Sequence, residues 1–594
     1  MFIFDSHSKF FRSPQGGIET GQEVSLKIYV KKNNPQPKLI IEKRNDYKDE
    51  FYKEIQTEWI QTKNSYELYK ASFTINNFGQ YFFYFVFNES NCTEKYELLV
   101  YKEGYKTPDW IKGGIIYHIF VDRFYRSKLL NKDSDIVVRN DWSGIPNYHP
   151  DKDGEIKNND FFGGNLEGIK EKLPYLSSLG ISVLYLSPIF EAYSNHKYDV
   201  GDYLTIDPLF GDEKSFEELC KEADKYSISI ILDGVFNHTG DNSFYFNKYG
   251  YYNSLGAYQS KNSPYYEWYI FNKWNEDYAS WWGIKTLPTI NKENKDFINF
   301  ITEENGVLKY WQEKGVKGWR LDVADELPNE FLEKIRTTVK AQNTEAFIVG
   351  EVWEDASNKF SYGKLKEYFC GNQLDSVTNY PLKSAIIEYI KTGDCSLLNH
   401  TINFIIEKYP PQTVNCLMNI LGTHDTARIL TVLGSNETPQ LKSERSIYKL
   451  SPEELKKGIK MLKIASLLQF TLPGVPCIYY GDEVGIEGFE DPFNRACFPW
   501  GDENQEILSH YKFLAELRKS CEVLVKGKYQ CLIHDKEVFA FERFNDNARL
   551  IIAVNISNST VTLNLKEGMK DYGNNDYNFS YKIKCDDFLI LIKN

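Results

Sequence analysis

The chain has 594 residues, of which 42% are apolar, 26% charged and 15% aromatic. At about 100–200 residues per domain this length predicts three or four domains, and the apolar fraction excludes a disordered chain. The net charge of −13 argues against nucleic-acid and anionic-membrane partners, because both require a basic surface.

The N-terminal residues and the cysteine pattern indicate in which cellular compartment the protein is expected. Residues 1–7 lack the basic and apolar regions of a secretory signal, and no stretch approaches the roughly 18–20 apolar residues of a spanning helix. The ten cysteines show no CxxC pair and no zinc spacing, so we expect reduced thiols. Together these features predict a cytoplasmic protein with no membrane partner.

Residues 1–108 read as an N-terminal β-sandwich, similar to carbohydrate-binding domains. The predicted strands are Val24–Val30, Lys38–Glu42, Tyr69–Ile75, Tyr81–Phe87 and Glu97–Tyr101. They are short, rich in apolar residues and not separated by helical periodicity. The aromatic residues of this domain are expected in its core, with starch binding as the alternative.

Residues 109–523 alternate apolar runs with amphipathic helical stretches. The predicted strands are Ile115–Phe120, Val183–Ser187, Ile228–Val235, Gly318–Val323, Phe347–Val352, Leu374–Thr378, Asn415–Leu421 and Pro476–Tyr480; the helices include Leu166–Leu179, Lys214–Tyr226, Asn329–Gln342, Leu382–Ile390 and Pro452–Leu468. Eight such strands favour an α/β fold of the (β/α)8 TIM-barrel type. Residues 240–295, rich in Tyr and Trp, are too long for a loop and predict an inserted subdomain after strand 3.

Residues 524–594 return to short alternating runs and predict a C-terminal β-sandwich. The expected strands are Val538–Arg543, Leu550–Asn555, Val561–Leu565 and Phe588–Ile592.

Polar clusters stand where the barrel strands end, which is where barrel enzymes carry their catalytic groups. The clusters are Asp233 to His238, Arg320 with Asp322, Glu351 with Trp353, His424 with Asp425, and Tyr198 after strand 2. An arginine two residues from Asp322 is expected to lower the pKa of that carboxyl and keep it ionised, as a nucleophile requires. Glu351, among aromatic neighbours, is expected to have a raised pKa and to act as an acid. Such a pair fits glycoside hydrolysis.

The same segments resemble the signature regions of the α-amylase family of glycoside hydrolases. The matching motifs are Asp233-Gly-Val-Phe-Asn-His238, Gly318-Trp-Arg-Leu-Asp322, Gly350-Glu-Val-Trp353, Thr423-His-Asp425, Phe162-Gly-Gly-Asn-Leu166 and Gly474-Val-Pro-Cys-Ile-Tyr-Tyr-Gly-Asp-Glu483. The resemblance implies Asp322 as nucleophile, Glu351 as acid/base and Asp425 as transition-state stabiliser in a retaining mechanism.

The candidate substrate-binding residues are Tyr198, Asp233, His238, Arg320, Trp353, His424, Asp491 and Arg495. The resemblance implies Tyr198 as a stacking platform at the cleavage point and Asp491 with Arg495 around the next sugars on the non-reducing side. Asp325 and Glu326 either line the leaving-group side or form a solvated helix start.

Leu287-Pro-Thr-Ile-Asn291 and the N-terminal sandwich resemble the neopullulanase, cyclomaltodextrinase and maltogenic-amylase branch, where Met-Pro-Lys-Leu-Asn is usual. That likeness implies a homodimer through the N-terminal domain. The chemistry needs no cofactor. Structural calcium stays open, because Asp151 to Glu155 lacks the twelfth-position Glu of an EF-hand and Asn165 stands where relatives often have a calcium-binding Asp.

The sequence therefore predicts an endo-type retaining hydrolase of α-1,4 bonds in maltodextrins, starch, cyclodextrins or pullulan, with cleavage of α-1,6 bonds left open. One alternative is an α-glucan transglycosylase or a sucrose- or trehalose-type enzyme on the same scaffold. A more remote alternative is a non-catalytic sugar-binding barrel, from which at least one of the three carboxylates would be expected to be missing.

Overall fold

The N-terminal strands form a sandwich. A computed structural model describes residues 2–130, 136–152, 154, 156–572 and 577–593. One sheet contains Phe2–Ile3, Arg12–Ser13, Val24–Lys31, Glu58–Lys63 and Tyr66–Phe73, and the other contains Ile18–Glu19, Lys38–Arg44, Asp49–Gln56, Gly79–Asn88, Asn91–Cys92 and Tyr96–Tyr101. Val24–Lys31 buries alternate residues, so its apolar side chains enter a core shared by both sheets.

The predicted barrel is confirmed. Its strands are β1 Ile116–Ile119, β2 Val183–Leu186, β3 Ser229–Gly234, β4 Gly318–Leu321, β5 Phe347–Gly350, β6 Ser376–Val377, β7 Met418–Ile420 and β8 Val475–Tyr479. They are parallel and lie in the order β6-β5-β4-β3-β2-β1-β8-β7. All their residues are buried except Ser229, which begins β3 and is half-buried, as expected of parallel strands covered on both faces.

The barrel closes between β6 and β7 through few backbone bonds. An isolated bridge joins Thr378 to Met418, and the Asn379 N–H donates to the Met418 carbonyl at 2.9 Å. The Ser376 hydroxyl donates to the Cys416 carbonyl at 2.7 Å. A side-chain hydrogen bond thus joins β6 to β7, where the other neighbouring strands of the barrel are joined by backbone hydrogen bonds.

Helices surround the barrel strands. They are Val121–Phe124, Leu166–Glu171, Leu173–Ser178, Glu213–Lys225, Lys295–Thr302, Val307–Glu313, Asn329–Gln342, Tyr380–Thr392, Ser396–Lys408, Pro411–Val414, Ile429–Gly434, Lys442–Ile447, Pro452–Thr471, Gln505–Ser520 and Val523–Lys526, with Asp109–Lys112 before β1. Where one helix was expected over residues 166–179, a second one begins at Leu173 with Pro174 in its first turn, because proline cannot continue the preceding helix. Ser451 and Asp212 each cap a long helix through a side-chain oxygen.

The segment between β3 and Lys295–Thr302 forms a small aromatic subdomain, which agrees with the predicted insertion. It contains the short helical turns Tyr266–Trp268 and Trp281–Gly283 and a hairpin of Phe271–Lys273 with Asp277–Tyr278. Rings of Phe246, Tyr269 and Tyr278 contact one another in its core. Its end rejoins the barrel through a bridge between His238 and Thr289.

Short strands and helical turns lie in the other connections. They are Val137–Val138, Asp160–Phe161, Phe190–Ala192, Val200–Ile206, Phe360–Ser361, Lys364–Leu365 and the turns Ala324–Glu326, Asp482–Val484 and Phe493–Arg495.

The C-terminal strands are joined in one hydrogen-bonded sheet of six, over a core of their own. The strands are Lys528–Asp535, Val538–Phe544, Arg549–Asn555, Val561–Asp571, Tyr577–Ile583 and Asp587–Lys593. All ten cysteines are free thiols. No helix in the described part of the chain is long and apolar enough to cross a membrane.

Contacts at several places attach the N-terminal sandwich to the barrel, among them those of Glu407 and Asp46. Buried Arg12 donates to the Glu407 carboxylate at 3.1 Å, and His7 lies 2.9 Å from the other oxygen of that carboxylate. Asp46 accepts from the side chain of Lys364 and from the backbone of Leu365, both at 2.9 Å.

Candidate active site

Arg320 lies at the centre of the candidate site. It is opposite Asp233 in the register of β3 and β4, and its Nη1 donates to both oxygens of Asp233, at 2.7 and 3.0 Å. The same nitrogen donates to Asp322 Oδ1 at 2.6 Å, while Nη2 lies 3.0 Å from Glu351 Oε2. A planar guanidinium has several donors in fixed directions, so one arginine can hold three carboxylates from three strands.

The electrostatics of Asp322 differ from the sequence expectation. Burial raises the pKa of the Asp322 carboxyl well above its ordinary value, and the charges of Glu351 and Asp233 add to this effect. Arg320 acts in the opposite direction and is outweighed. The expected lowering was wrong because the motif shows the neighbouring arginine but not the other carboxylates that share it.

Three donors hold the carboxylate of Glu351. Besides Arg320, the backbone N–H of Val323 donates to Oε2 at 2.9 Å and the indole N–H of Trp353 donates to Oε1 at 3.1 Å. Trp353 stacks on Tyr380 with ring centroids 3.9 Å apart, so the indole is fixed from behind. These contacts fix the position of Glu351 beside Asp322.

Asp425 stands on the other side of the site, after β7. His424 Nε2 lies 3.2 Å from Asp425 Oδ2, and Arg495 Nη2 lies 3.8 Å from Oδ1. The walls of the cleft and the charge of Glu351 raise the pKa of Asp425 to about 7, although 35% of its side chain is exposed. Arg495 also pairs with Asp491 at 2.8 Å, so this arginine lies between Asp425 and Asp491.

Tyr198 connects the two sides of the site. Its ring stacks on His424 with centroids 4.7 Å apart, and its hydroxyl donates to Asp233 at 2.9 Å. Burial and nearby positive charges lower the pKa of His424 well below its ordinary value, so the imidazole is neutral. A neutral imidazole places no positive charge beside Asp425.

The inserted subdomain supplies aromatic rings to the cleft. The sequence predicted the aromatic segment 240–295 but not which of its residues face the cleft. Trp281 stacks on His238 with centroids 5.2 Å apart, and Trp282 next to it is 82% exposed. Tyr249 and Tyr251 also line the cleft. The density of Tyr and Trp over 240–295 was the available signal, but it does not separate these rings from those in the core of the subdomain.

A cleft of about 1220 Å³ brings the predicted residues together. The residues on its wall include Tyr198, His238, Asp322, Glu351, Trp353, His424, Asp425, Asp491 and Arg495. Asp233 and Arg320 do not line the cleft; Arg320 holds Asp322 from behind, and Asp233 in turn accepts from Arg320. Asp325 and Glu326 line the cleft, as one of the two interpretations expected. Its volume exceeds the roughly 300–1,000 Å³ of small-ligand sites and suits an extended ligand.

Asn165, which stands where relatives often have a calcium-binding Asp, is already engaged in hydrogen bonds. Asn165 Oδ1 accepts from the Gly168 N–H at 2.8 Å as a helix cap, and its Nδ2 donates to the Lys128 carbonyl at 2.7 Å. Asp153 and Glu155 lie outside the described residues. Within the described ranges, no group of three or more His, Cys, Asp or Glu side chains could hold a metal ion.

Comparison with known proteins identifies the family. The sequence profile of the α-amylase catalytic domain matches residues 118–500. The chain belongs to the α-amylase family of glycoside hydrolases. The resemblance drawn from the motifs is therefore confirmed, and hydrolases of this α-amylase family need no cofactor for their chemistry.

Among relatives of this α-amylase family member, an amylopullulanase of Thermoanaerobacterium saccharolyticum is 34% identical over 96% of this chain and 49% of its own length. Neopullulanase 2 of Thermoactinomyces vulgaris is 33% identical over 78% of this chain and 72% of its own. The type III pullulan hydrolase from Thermococcus kodakarensis has a similar structure, with a TM-score of 0.72 at 25% identity over 100% of both chains. The chain thus spans about half the length of the amylopullulanase that it matches.

Proposed function

We propose that this chain is a retaining, endo-acting α-glucan hydrolase that cleaves α-1,4-glucosidic bonds through a glycosyl-enzyme on Asp322. The observation that carries the proposal is the bridge that Arg320 makes between Asp322 and Glu351 at the floor of the cleft. A single guanidinium between two carboxylates favours the separation of about 5–5.5 Å of retaining enzymes over the wider gap of inverting ones.

In the proposed first step, Asp322 attacks the anomeric carbon while Glu351 gives a proton to the glycosidic oxygen, which leaves as a hydroxyl. Water then loses its proton to Glu351 and breaks the ester on Asp322, so the product keeps the α configuration. Asp425 stabilises the positive charge that develops on the sugar and binds its hydroxyls. Tyr198 provides the stacking surface at the cleavage point.

The substrates we propose are starch, maltodextrins, cyclodextrins and pullulan, with α-1,6 cleavage as a second activity to be measured. The names of the amylopullulanase, the neopullulanase and the pullulan hydrolase support pullulan. The volume of the cleft supports a chain of several sugars. Structural calcium is not part of the proposal, because the Asn165 amide is already engaged.

The mechanism is tested by two variants and by the anomeric configuration of the product. Asp322→Asn and Glu351→Gln should each reduce maltodextrin cleavage by about 1000-fold or more, with Asp546→Asn as a surface control. Proton NMR of the first product from the wild-type protein should show the α anomer. A β anomer would exclude retention, and substantial turnover by Asp322→Asn would exclude the assigned nucleophile.

We further propose that two copies associate through the N-terminal domain. Phe51, Trp59 and Ile60 are exposed on Asp49–Gln56 and Glu58–Lys63, which are edge strands of the two N-terminal sheets. Edge strands with exposed apolar side chains favour pairing with another chain. Sedimentation at increasing concentration should show a dimer that Trp59→Arg weakens, and a monomer throughout would contradict it.

A further inference from the structure

A strained hairpin stands beside the cleft. Phe360–Ser361 pairs with Lys364–Leu365, and the two residues between them, Tyr362 and Gly363, have φ angles of 51° and 75°. Two-residue turns with positive φ at both positions favour Asn-Gly, and a bulky residue at the first position is strained. A tyrosine in this unfavourable backbone conformation indicates that its side chain has a functional role.

The side chain of Tyr362 is largely exposed to solvent, but Lys292 lies against its ring. It is 73% exposed, and Lys292 Nζ lies 5.7 Å from the centre of its ring. Partial burial and the neighbouring carboxylate of Glu326 raise the pKa of Tyr362 to about 12. Lys292 also lies 3.2 Å from Glu326, which lines the cleft. The ring is therefore positioned at the rim of the cleft.

The base of the hairpin is fixed on two sides. Asp46 of the N-terminal domain accepts from Lys364 and from the Leu365 N–H, as described above. Lys359, just before the hairpin, lies 3.5 Å from Asp325 and also pairs with Glu354. Asp325 and Glu354 line the cleft. A platform held in this way loses little conformational freedom when a ligand binds.

The hairpin stands on the side of Glu351. Asp491 and Arg495 lie with Asp425 at one side of the cleft, whereas the turn Ala324–Glu326 that contacts Tyr362 follows directly after the Asp322–Val323 segment held against Glu351. A general acid contacts the leaving oxygen, so the leaving part of a substrate extends past this group.

We propose that the ring of Tyr362 binds one sugar of the leaving part of an α-glucan chain, beyond the cleavage point, so that the hairpin extends the cleft towards the N-terminal domain. This inference rests on the proposed function. The apolar face of a pyranose packs on an aromatic ring, and its hydroxyls can bond to Glu326 and Lys292. A contact of this kind should be worth about 3- to 10-fold in kcat/KM for substrates long enough to reach it.

The experiment compares a short and a long substrate. Tyr362→Asn removes the ring but suits the left-handed backbone, and Tyr362→Phe keeps the ring without the hydroxyl. Tyr577→Asn, an exposed tyrosine of the C-terminal sheet, is the matched control. For each variant, kcat/KM is measured on maltotriose and on maltoheptaose labelled at its reducing end, together with the positions at which maltoheptaose is cut.

For Tyr362→Asn we expect a loss of about 3- to 10-fold on maltoheptaose, no change on maltotriose, and a shift of cleavage towards the labelled end. Tyr362→Phe should lie near the wild type. An unchanged cleavage pattern would overturn the inference, and so would an equal loss on both substrates, which indicates an effect through Glu326. Failure of the wild-type protein to cleave either substrate would contradict the proposed function instead.

Discussion

The backbone N–H of Val323 donates to the carboxylate of Glu351 at 2.9 Å, so the residue after Asp322 holds the carboxylate of the neighbouring strand. Val323 has a φ of 46° and a ψ of 49°, a left-handed conformation that a β-branched residue rarely adopts. Such strain costs roughly 1–3 kcal/mol and persists only where the surroundings enforce it. Here it directs an N–H towards Glu351.

The variant Val323→Gly should separate the backbone strain at residue 323 from its effect on the position of Glu351. Glycine adopts positive φ without strain, so thermal unfolding should begin no earlier than in the wild-type protein. The looser backbone should hold Glu351 less firmly and reduce kcat about 10-fold. Melting curves and kcat on maltotriose check both parts. A kcat at the wild-type level would show that the left-handed turn does not position Glu351.

Arg320→Lys should disable the site while leaving a positive charge in place. A lysine ammonium cannot match the planar fork that contacts Asp233, Asp322 and Glu351 together, so kcat/KM should fall by about 100-fold or more. Carboxylates left unpaired in the interior should also lower stability by about 3–5 kcal/mol. Kinetics and chemical denaturation are the measurements, and Arg549→Lys on the C-terminal sheet is the control.

The raised pKa of Asp425 predicts a pH dependence. Since its pKa is about 7, Asp425 takes up a proton as the pH falls through neutrality, and kcat/KM on an uncharged maltodextrin should fall with it. Asp491→Asn removes a negative charge that raises this pKa, so the acid limb should move to lower pH. A limb that stays in place, or moves upward, would contradict the coupling; Asp546→Asn serves as the control.

The contact between His7 and Glu407 predicts a pH dependence of stability. Glu407 raises the pKa of His7 above 6.5, so this contribution is complete below 6.5 and is lost as the pH rises through the folded pKa. The pKa of Glu407 is lowered from 4.5, so its contribution is present above 4.5 and is lost as the pH falls through the folded value.

His7→Asn should therefore lower the melting temperature most between about pH 5 and 6.5 and have no effect near pH 9. The effect should stay below about 1 kcal/mol, because 41% of the His7 side chain is exposed. Calorimetry across this range checks the window. A destabilisation that is constant with pH would assign His7 a packing role instead.

The barrel could be predicted because its strands are short apolar runs that are buried on both faces. Seven of the eight predicted runs contain the whole observed strand, and Pro476–Tyr480 misses only Val475, where β8 begins. The polar clusters mark the ends that meet at the cleft. Among the N-terminal strands that were not predicted, Asp49–Gln56 and Glu58–Lys63 are the long ones, and both are mostly exposed edge strands without regular alternation. Their pairing comes from neighbours that are distant in sequence.

Within the site, the motifs identified the charged residues but not their mutual influence. The raised pKa of Asp322 depends on carboxylates from other strands, and the turn at Val323 has no signal in a sequence that places a β-branched residue there. Tyr362 was missed for a similar reason, because a Tyr-Gly pair is not a usual signal of its turn. The cytoplasmic location stays a prediction.

The side chains that join β6 to β7 make the rigidity of the barrel adjustable by mutation. A backbone bond can be removed only by a proline substitution, which also constrains φ, whereas the hydroxyl of Ser376 can be removed with the backbone left unchanged. β7 leads to Asp425, while Glu351 lies beyond β5 on the other side of the same junction. Ser376→Ala, which removes only the hydroxyl, therefore offers evolution, or an engineer, a means to alter how closely Asp425 follows the other two carboxylates without touching any residue that meets the sugar.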